Sequence, residues 1–321
     1  MFGIGVENQA LYWTTMIVGG AFALWLGWHR CMKANIDRQK SMLATALMPF
    51  FVLFFSHLLY GLVDLEYTLY SHSFWYLFAF WEKGYMVYGG MFGALICLLI
   101  VGQRDRVKML EQYAPSGAWI IAVMRIGDGF LGQGYGEYFS GESAFSQFFR
   151  RFPFMVYDAY YEEWAWALFL AEALVALVLF VFLLKKKPTW PGDSTLLLFG
   201  LYASAQIVLE SLRRDEFLRW GFVRVEEAVS ATIVLAVLIL YCVKAGKGKR
   251  LEKALCFGLC ILMIVLCLLL EFATEGRIPF LMFLDVTACY IAMALACILL
   301  GISVLWMRRI APDTTTERKE C

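Results

Sequence analysis

The sequence has no Cys-x-x-Cys pair and no cysteine–histidine cluster at zinc spacing, so neither a zinc site nor any other metal is expected. It has no basic patch interleaved with aromatics and a net charge of only +1, so nothing points to nucleic acid. The opening residues, MFGIGVENQA, lack a basic n-region, and a cleavable signal peptide is not expected. No internal inverted repeat of the kind many secondary transporters carry can be found. What the chain does have is apolar mass. Hydrophobic residues make up 61% and aromatics 17% of its 321 residues, against roughly 45–50% apolar in soluble domains.

That excess lies in long blocks, and blocks of about 18 or more apolar residues read as membrane helices. The fold class expected is all-α: a polytopic integral membrane helical bundle of about nine transmembrane helices. The spans run Leu11–Trp28, Met42–Val63, Tyr85–Gly102, Ser116–Tyr135, Trp164–Leu184, Thr195–Leu212, Glu226–Val243, Leu255–Phe272 and Pro279–Met307. Cys97, Cys242, Cys256, Cys260, Cys267, Cys289 and Cys297 fall in or at the ends of these blocks, where a free thiol packs as a small hydrophobe.

The connecting charges alternate. HRCMKANIDRQK, QRDRVKMLEQ, KKKPTWPGD, KAGKGKRLEK and the tail MRRIAP are rich in Lys and Arg, which places them in the cytoplasm. DLEY, the segment 137–163, RRDEFLRWGFVR and ATEGR are acidic or mixed and hold no cysteine. The N-terminus is therefore expected outside and the C-terminus inside. Phe74, Trp75, Tyr76, Trp81, Tyr135, Tyr138, Phe139, Tyr157, Tyr160, Tyr161 and Trp164 gather near the outer boundary, as an interfacial aromatic belt does. Residues 137–163 are too polar to span and are expected on the outer surface, as an amphipathic arm or as a lid over a lateral opening.

Charge at membrane depth needs a reason. Arg125 sits about nine residues into its span, near the midplane, where an arginine costs from about 2.5 to well above 10 kcal/mol unless it faces a partner or a polar cavity. Asp128 lies three residues on, on the same helical face. Two readings stand: Arg125 and Asp128 neutralise each other and tie helices together, or Arg125 forks onto an anionic headgroup. Gly127, Gly129, Gly132, Gly134 and Gly136 follow, stripping side chains from the outer half of the span so that a backbone or ligand can approach. Gln206 and Glu210 share a face of a later helix, with Arg213 and Arg214 beyond. His57 reads as a core histidine. For Glu172 and Glu210, helix-bundling hydrogen bonds and a site role are both open.

Three motifs, in this order, resemble the prolipoprotein diacylglyceryl transferase family of bacterial membrane enzymes. They are the glycine pair of Tyr88-Gly89-Gly90, the segment from Arg125 to Gln133, and the helix bearing Gln206, Glu210 and Arg213. The resemblance covers roughly residues 11–244. It implies a seven-span core over 1–244, with 245–321 adding two helices and a cytoplasmic tail. It also implies transfer of the diacylglyceryl group of phosphatidylglycerol to the lipobox cysteine thiol of a prelipoprotein, with release of glycerol phosphate, at the bacterial cytoplasmic membrane. No metal or soluble cofactor is implied. The implied partners are phosphatidylglycerol or a related anionic phospholipid and the prelipoprotein signal peptide. The implied catalytic residues are Arg125, Glu210, Tyr88 and Asp128; the implied headgroup ligands are Arg125, Arg213, Gly89, Gly90, Gly127, Gln206 and Gln133. Glu172 stands near a family glutamate. The chain departs from the pattern with Tyr88 in place of a histidine, Asp128 of an asparagine, Gln133 of a glutamate and Gln206 of an arginine. Three functions follow for test: the transferase, a paralogue that binds lipid or a membrane protein without catalysis, and a transporter or channel.

Overall fold

A computed structural model of the chain describes residues 8–82, 84–138, 144–158, 161–214, 218–220, 223–246, 248–274, 276–277 and 286–311. The expected belt residues Phe139 and Tyr160, and the start of the ninth expected span from Pro279, lie outside the described residues. Two compact units are present, one of residues 1–195 with 213–220, the other of 196–212 with 221–321.

The first unit opens with α1 (Gln9–Lys33), α2 (Arg38–Val63) and the short α3 (Leu65–Ser71). A 3-10 turn over Phe74–Phe78 follows, then α4 (Val87–Gly102) and α5 (Arg106–Phe130). Next come α6 (Ala144–Phe149), the strands β1 (Met155–Asp158) and β2 (Glu163–Trp166), and α7 (Leu168–Lys185). α8 (Asp193–Ser211) begins in this unit and runs on into the second, which holds α9 (Val225–Lys244), α10 (Arg250–Thr274) and α11 (Val286–Ile310).

Eight helical stretches among the described residues are long and apolar enough to cross a membrane. One of them, Val87–Phe130, is 44 residues long. At 1.5 Å per residue that is about 66 Å, twice the hydrocarbon thickness, so it holds two of the nine expected spans. The break lies at Gln103, whose φ of +48° ends α4, and α4 and α5 pack on each other. The fourth span is displaced from its expected limits: α5 begins at Arg106 and ends at Phe130, because Gly132 and Gly134 both take φ +71° and the helix cannot continue through them.

Packing follows small residues. Along α1, Gly19, Ala23, Gly27 and Cys31 are buried at intervals of four, while Trp13, Ile17, Val18 and Trp25 face outward. That is the inverse of a soluble helix and suits a lipid surround, where close backbone approach replaces burial of bulk. A Cβ on Gly19 would strike Val123 of α5, and one on Gly27 the Tyr113 ring. Between α2 and α4 the approach is closer still. A Cβ on Gly89 would sit 2.5 Å from the carbonyl oxygen of Phe55, and one on Gly93 would strike that of Phe51. In the second unit α10 buries Cys256, Cys260, Met263, Cys267 and Leu270 on one stripe, so its cysteines fill space as expected.

The segment 137–163 is not helical throughout. β1 pairs antiparallel with β2, Met155 opposite Trp166 and Asp158 opposite Glu163. Tyr138 bridges to Ala165 on one side, while Gly136 bridges to Arg213 on the other. Buried Glu111 of α5 accepts from the backbone N of Ser194 at 2.9 Å and from its hydroxyl, satisfying the first turn of α8.

Candidate functional site

Arg125 lies in the last turns of α5 and is 2% exposed. Its Nη1 is 3.2 Å from Oδ2 of Asp128, one turn on along the same helix. Its Nε is 3.3 Å from Oε2 of Glu172, which α7 presents with no exposure at all. Nη1 of Arg213 reaches the same Glu172 oxygen at 3.7 Å. Two buried guanidiniums thus share one carboxylate oxygen, with Asp128 supplying a second negative charge. Each ion would be prohibitive alone at this depth, and the group persists because its charges balance.

Backbone pairing positions this cluster. After α5 ends, Gly134 accepts from the backbone N of Phe169, and Gly136 donates to the Trp166 carbonyl at 2.9 Å. Arg214 donates from its backbone to Tyr135 at 2.9 Å. The strip after α5 therefore lies between β2 and the Arg213–Arg214 pair, bringing a residue 88 positions from Arg125 to the same carboxylate. Beside it, the Arg214 guanidinium stands 3.7 Å above the Tyr138 ring, whose hydroxyl donates to Asp158 at 2.7 Å.

The glycines do different work from that expected of them. The space beside Gly127 is taken by the Tyr12 ring, and that beside Gly129 and Gly134 by Phe169. These three admit side chains of α1 and α7 rather than leaving an open wall, while a Cβ on Gly132 would meet nothing within 4 Å. Gly89 and Gly90 are buried against α2, as scaffold. Tyr88 is wholly buried in the first turn of α4. Gln133 is exposed past the end of α5, its backbone N bonded to the Asp128 carbonyl at 2.9 Å. His57 lies between the carbonyls of Gly84 and Tyr76, at 3.0 and 2.8 Å, a core histidine as expected.

In the second unit Gln206 and Glu210 are both buried on α8, and Nε2 of Gln206 donates to Oε2 of Glu210 at 3.2 Å. Glu227, Glu271 and Arg224, also buried in this unit, were not singled out in the sequence. Arg224 and Glu227 sit at the edge of an apolar block, where charge is ordinary, and only their burial marks them.

The chain matches the prolipoprotein diacylglyceryl transferase family over residues 1–243. A phosphatidylglycerol–prolipoprotein diacylglyceryl transferase of Streptococcus equi subsp. zooepidemicus (strain MGCS10565) is 27% identical over 259 residues, covering 77% of this chain and 95% of the relative. The Streptococcus pyogenes serotype M5 (strain Manfredo) protein of that name is 25% identical over 259 residues, 76% of this chain and 94% of its own. That of Proteus mirabilis (strain HI4320) is 28% identical over 141 residues, 43% and 48%. The matched region holds α5, α7 and α8, which carry Arg125, Glu172 and Glu210, and the chain belongs to the prolipoprotein diacylglyceryl transferase family.

Proposed function

We propose that this protein transfers the diacylglyceryl group of phosphatidylglycerol to the cysteine thiol of a prelipoprotein signal peptide, at the outer half of a bacterial cytoplasmic membrane. One observation carries the reading: Arg125 and Arg213 converge on a single oxygen of Glu172, within the region matched to the family. In the reaction the thiolate sulfur bonds to the terminal glycerol carbon of the diacylglyceryl group. The bond from that carbon to the phosphate oxygen breaks, and glycerol phosphate leaves with the electron pair. The leaving phosphate gains negative charge, which paired guanidiniums are suited to hold.

Without substrate, Glu172 and Asp128 occupy those guanidiniums. An arriving phosphate competes with them, and Asp128, at 15% side-chain exposure against none for Glu172, is the one within a substrate's reach. We assign Asp128 to accept the thiol proton, since only the thiolate attacks. Glu172 stays in place and holds the two arginines together. On α8, Gln206 holds Glu210, the other carboxylate that the resemblance implies.

Lipid binding without transfer is the second reading. The tyrosine at position 88, where the family has a histidine, favours it, because a phenol ordinarily keeps its proton at neutral pH and is a poor base. Family membership sets the transporter reading aside. The test supplies labelled phosphatidylglycerol and a lipobox peptide to the purified protein. A diacylglyceryl thioether that disappears in Arg125→Ala supports transfer; saturable lipid binding with no product supports the second reading and overturns the first.

A further inference from the structure

Arg213 and Arg214 are neighbours in the chain with opposite surroundings. Arg213 is 5% exposed and reaches Glu172 in the charge cluster, while Arg214 is exposed. Successive residues of an extended segment face opposite ways, so turning one side chain inward sends the next outward. Both lie past the end of α8 at Ser211, and both belong to the first unit, with the rest of the cluster. Their main chain is held by the strip after α5: Gly136 bridges to Arg213, and the Tyr135 carbonyl accepts from the Arg214 backbone N at 2.9 Å.

The outward arginine is held as well. Its guanidinium carbon lies 3.7 Å from the centre of the Tyr138 ring and 5.6 Å from that of Tyr161, both within cation–π range. Those two rings are 5.5 Å apart. Tyr138 is fixed in turn from two sides. Its backbone bridges to Ala165 of β2, and its hydroxyl donates to Oδ2 of Asp158, the last residue of β1, at 2.7 Å. A bond to a carboxylate is among the stronger ones a phenol can make. Direct contacts therefore lead from the β1–β2 hairpin through Asp158, Tyr138 and Arg214 to Arg213, and from there to Glu172.

We propose that Arg214 and Tyr138 are positioning residues for the transfer reaction. Their stack anchors Arg214 to the hairpin, and so fixes where the adjoining Arg213 presents its guanidinium to the phosphate. The proposal rests on the transferase reading. Neither residue touches substrate. Arg213 has the looser hold on Glu172, at 3.7 Å against 3.3 Å for Arg125, so it depends more on its backbone for placement. A displacement of about 1 Å at such a group costs about 100-fold in rate.

The test uses full-length protein in phosphatidylglycerol-containing liposomes with a lipobox peptide, reading kcat per folded protein, KM for the lipid and the thermal midpoint. Tyr138→Leu removes the stack and leaves the Arg214 charge in place. It is expected to lower kcat about tenfold, whereas Tyr138→Phe keeps the ring face and should stay within about threefold of wild type. Arg214→Gln should match the loss in Tyr138→Leu, and the double variant should be no worse than either, since all three remove one contact. A kcat loss below about threefold in Tyr138→Leu, an equal loss in Tyr138→Phe, or losses that multiply in the double variant overturn the proposal. So does a raised KM in Arg214→Gln with kcat unchanged, which would put Arg214 itself on the lipid phosphate. Should Tyr138→Leu fail to fold, the exposed Arg214→Gln change carries the test: a kcat loss of about threefold or more supports the proposal, and a smaller one overturns it. A wild-type protein that forms no thioether sinks the transferase reading and this proposal together; wild-type product with an unaffected Tyr138→Leu sinks this proposal alone.

Discussion

The Nε of Arg125 lies 3.3 Å from Oε2 of Glu172, an ion pair between α5 and α7 from which solvent is almost excluded. Glu172 also serves Arg213, so its removal strands two buried guanidiniums. Glu172→Ala is expected to destabilise the protein by about 3–5 kcal/mol, in the range found when one partner of a buried pair is deleted. Thermal unfolding in detergent measures this, and a drop below about 1 kcal/mol would show that the pair carries little.

Asp128 has two assigned effects that pull in different directions. On the proposed mechanism it accepts the thiol proton, and at rest it occupies the Arg125 guanidinium that the phosphate would need. Asp128→Asn should therefore lower kcat by about 100-fold or more while also lowering KM for phosphatidylglycerol. Steady-state kinetics checks both signs, and an unchanged kcat would remove Asp128 from proton transfer.

Two glycine-to-alanine changes should differ in sign. Gly89→Ala places a methyl against the α2 backbone, which cannot yield as a side chain can, and should cost about 1–3 kcal/mol. Gly258→Ala, inside α10 with nothing within 4 Å, should be neutral or stabilising by up to about 1 kcal/mol. Unfolding midpoints of the two variants, compared side by side, decide the matter.

Burial first, and then the hydrogen bond to Asp158, push the Tyr138 phenol up from its ordinary value. The neutral phenol is thus favoured in the folded protein. Its contribution is complete below the unfolded value of about 10 and is lost as pH rises through the higher folded value. The stability gap between wild type and Tyr138→Phe should be constant near neutral pH and narrow above about pH 10. A gap that stays constant into strong alkali would contradict this.

The orientation read from Lys and Arg places the 185–187 loop inside and the β1–β2 hairpin outside. In intact cells a membrane-impermeant thiol reagent should label Glu163→Cys and leave Lys187→Cys unlabelled until the membrane is opened. The reverse pattern would invert the topology.

Much of this was legible in the sequence because apolar blocks announce membrane helices wherever they lie. Arg125 and Asp128 could be paired on spacing alone, since a helix brings positions three apart together. Glu172 was visible as a lone charge in its span, but its partners were not, because they stand outside its helix, 47 and 41 residues away. Arg224 and Glu271 were hidden for the same reason, being likewise 47 residues apart. The β1–β2 hairpin was hidden by its aromatic content, which a surface arm explains equally well. The glycines after Arg125 spoke clearly of close approach, yet a sequence cannot say what approaches, and here it is Tyr12 and Phe169.

The bond between Glu111 and the first turn of α8 joins residues 83 positions apart. During synthesis α5 therefore enters the bilayer well before its capping partner is made. Until Ser194 arrives, the nascent chain carries a carboxylate awaiting its donor, and α8 on arrival carries amides awaiting their acceptor. The tie between α5 and the start of α8 therefore forms late, once residue 194 has been made, and fixes the first turn of α8 against a helix already in place.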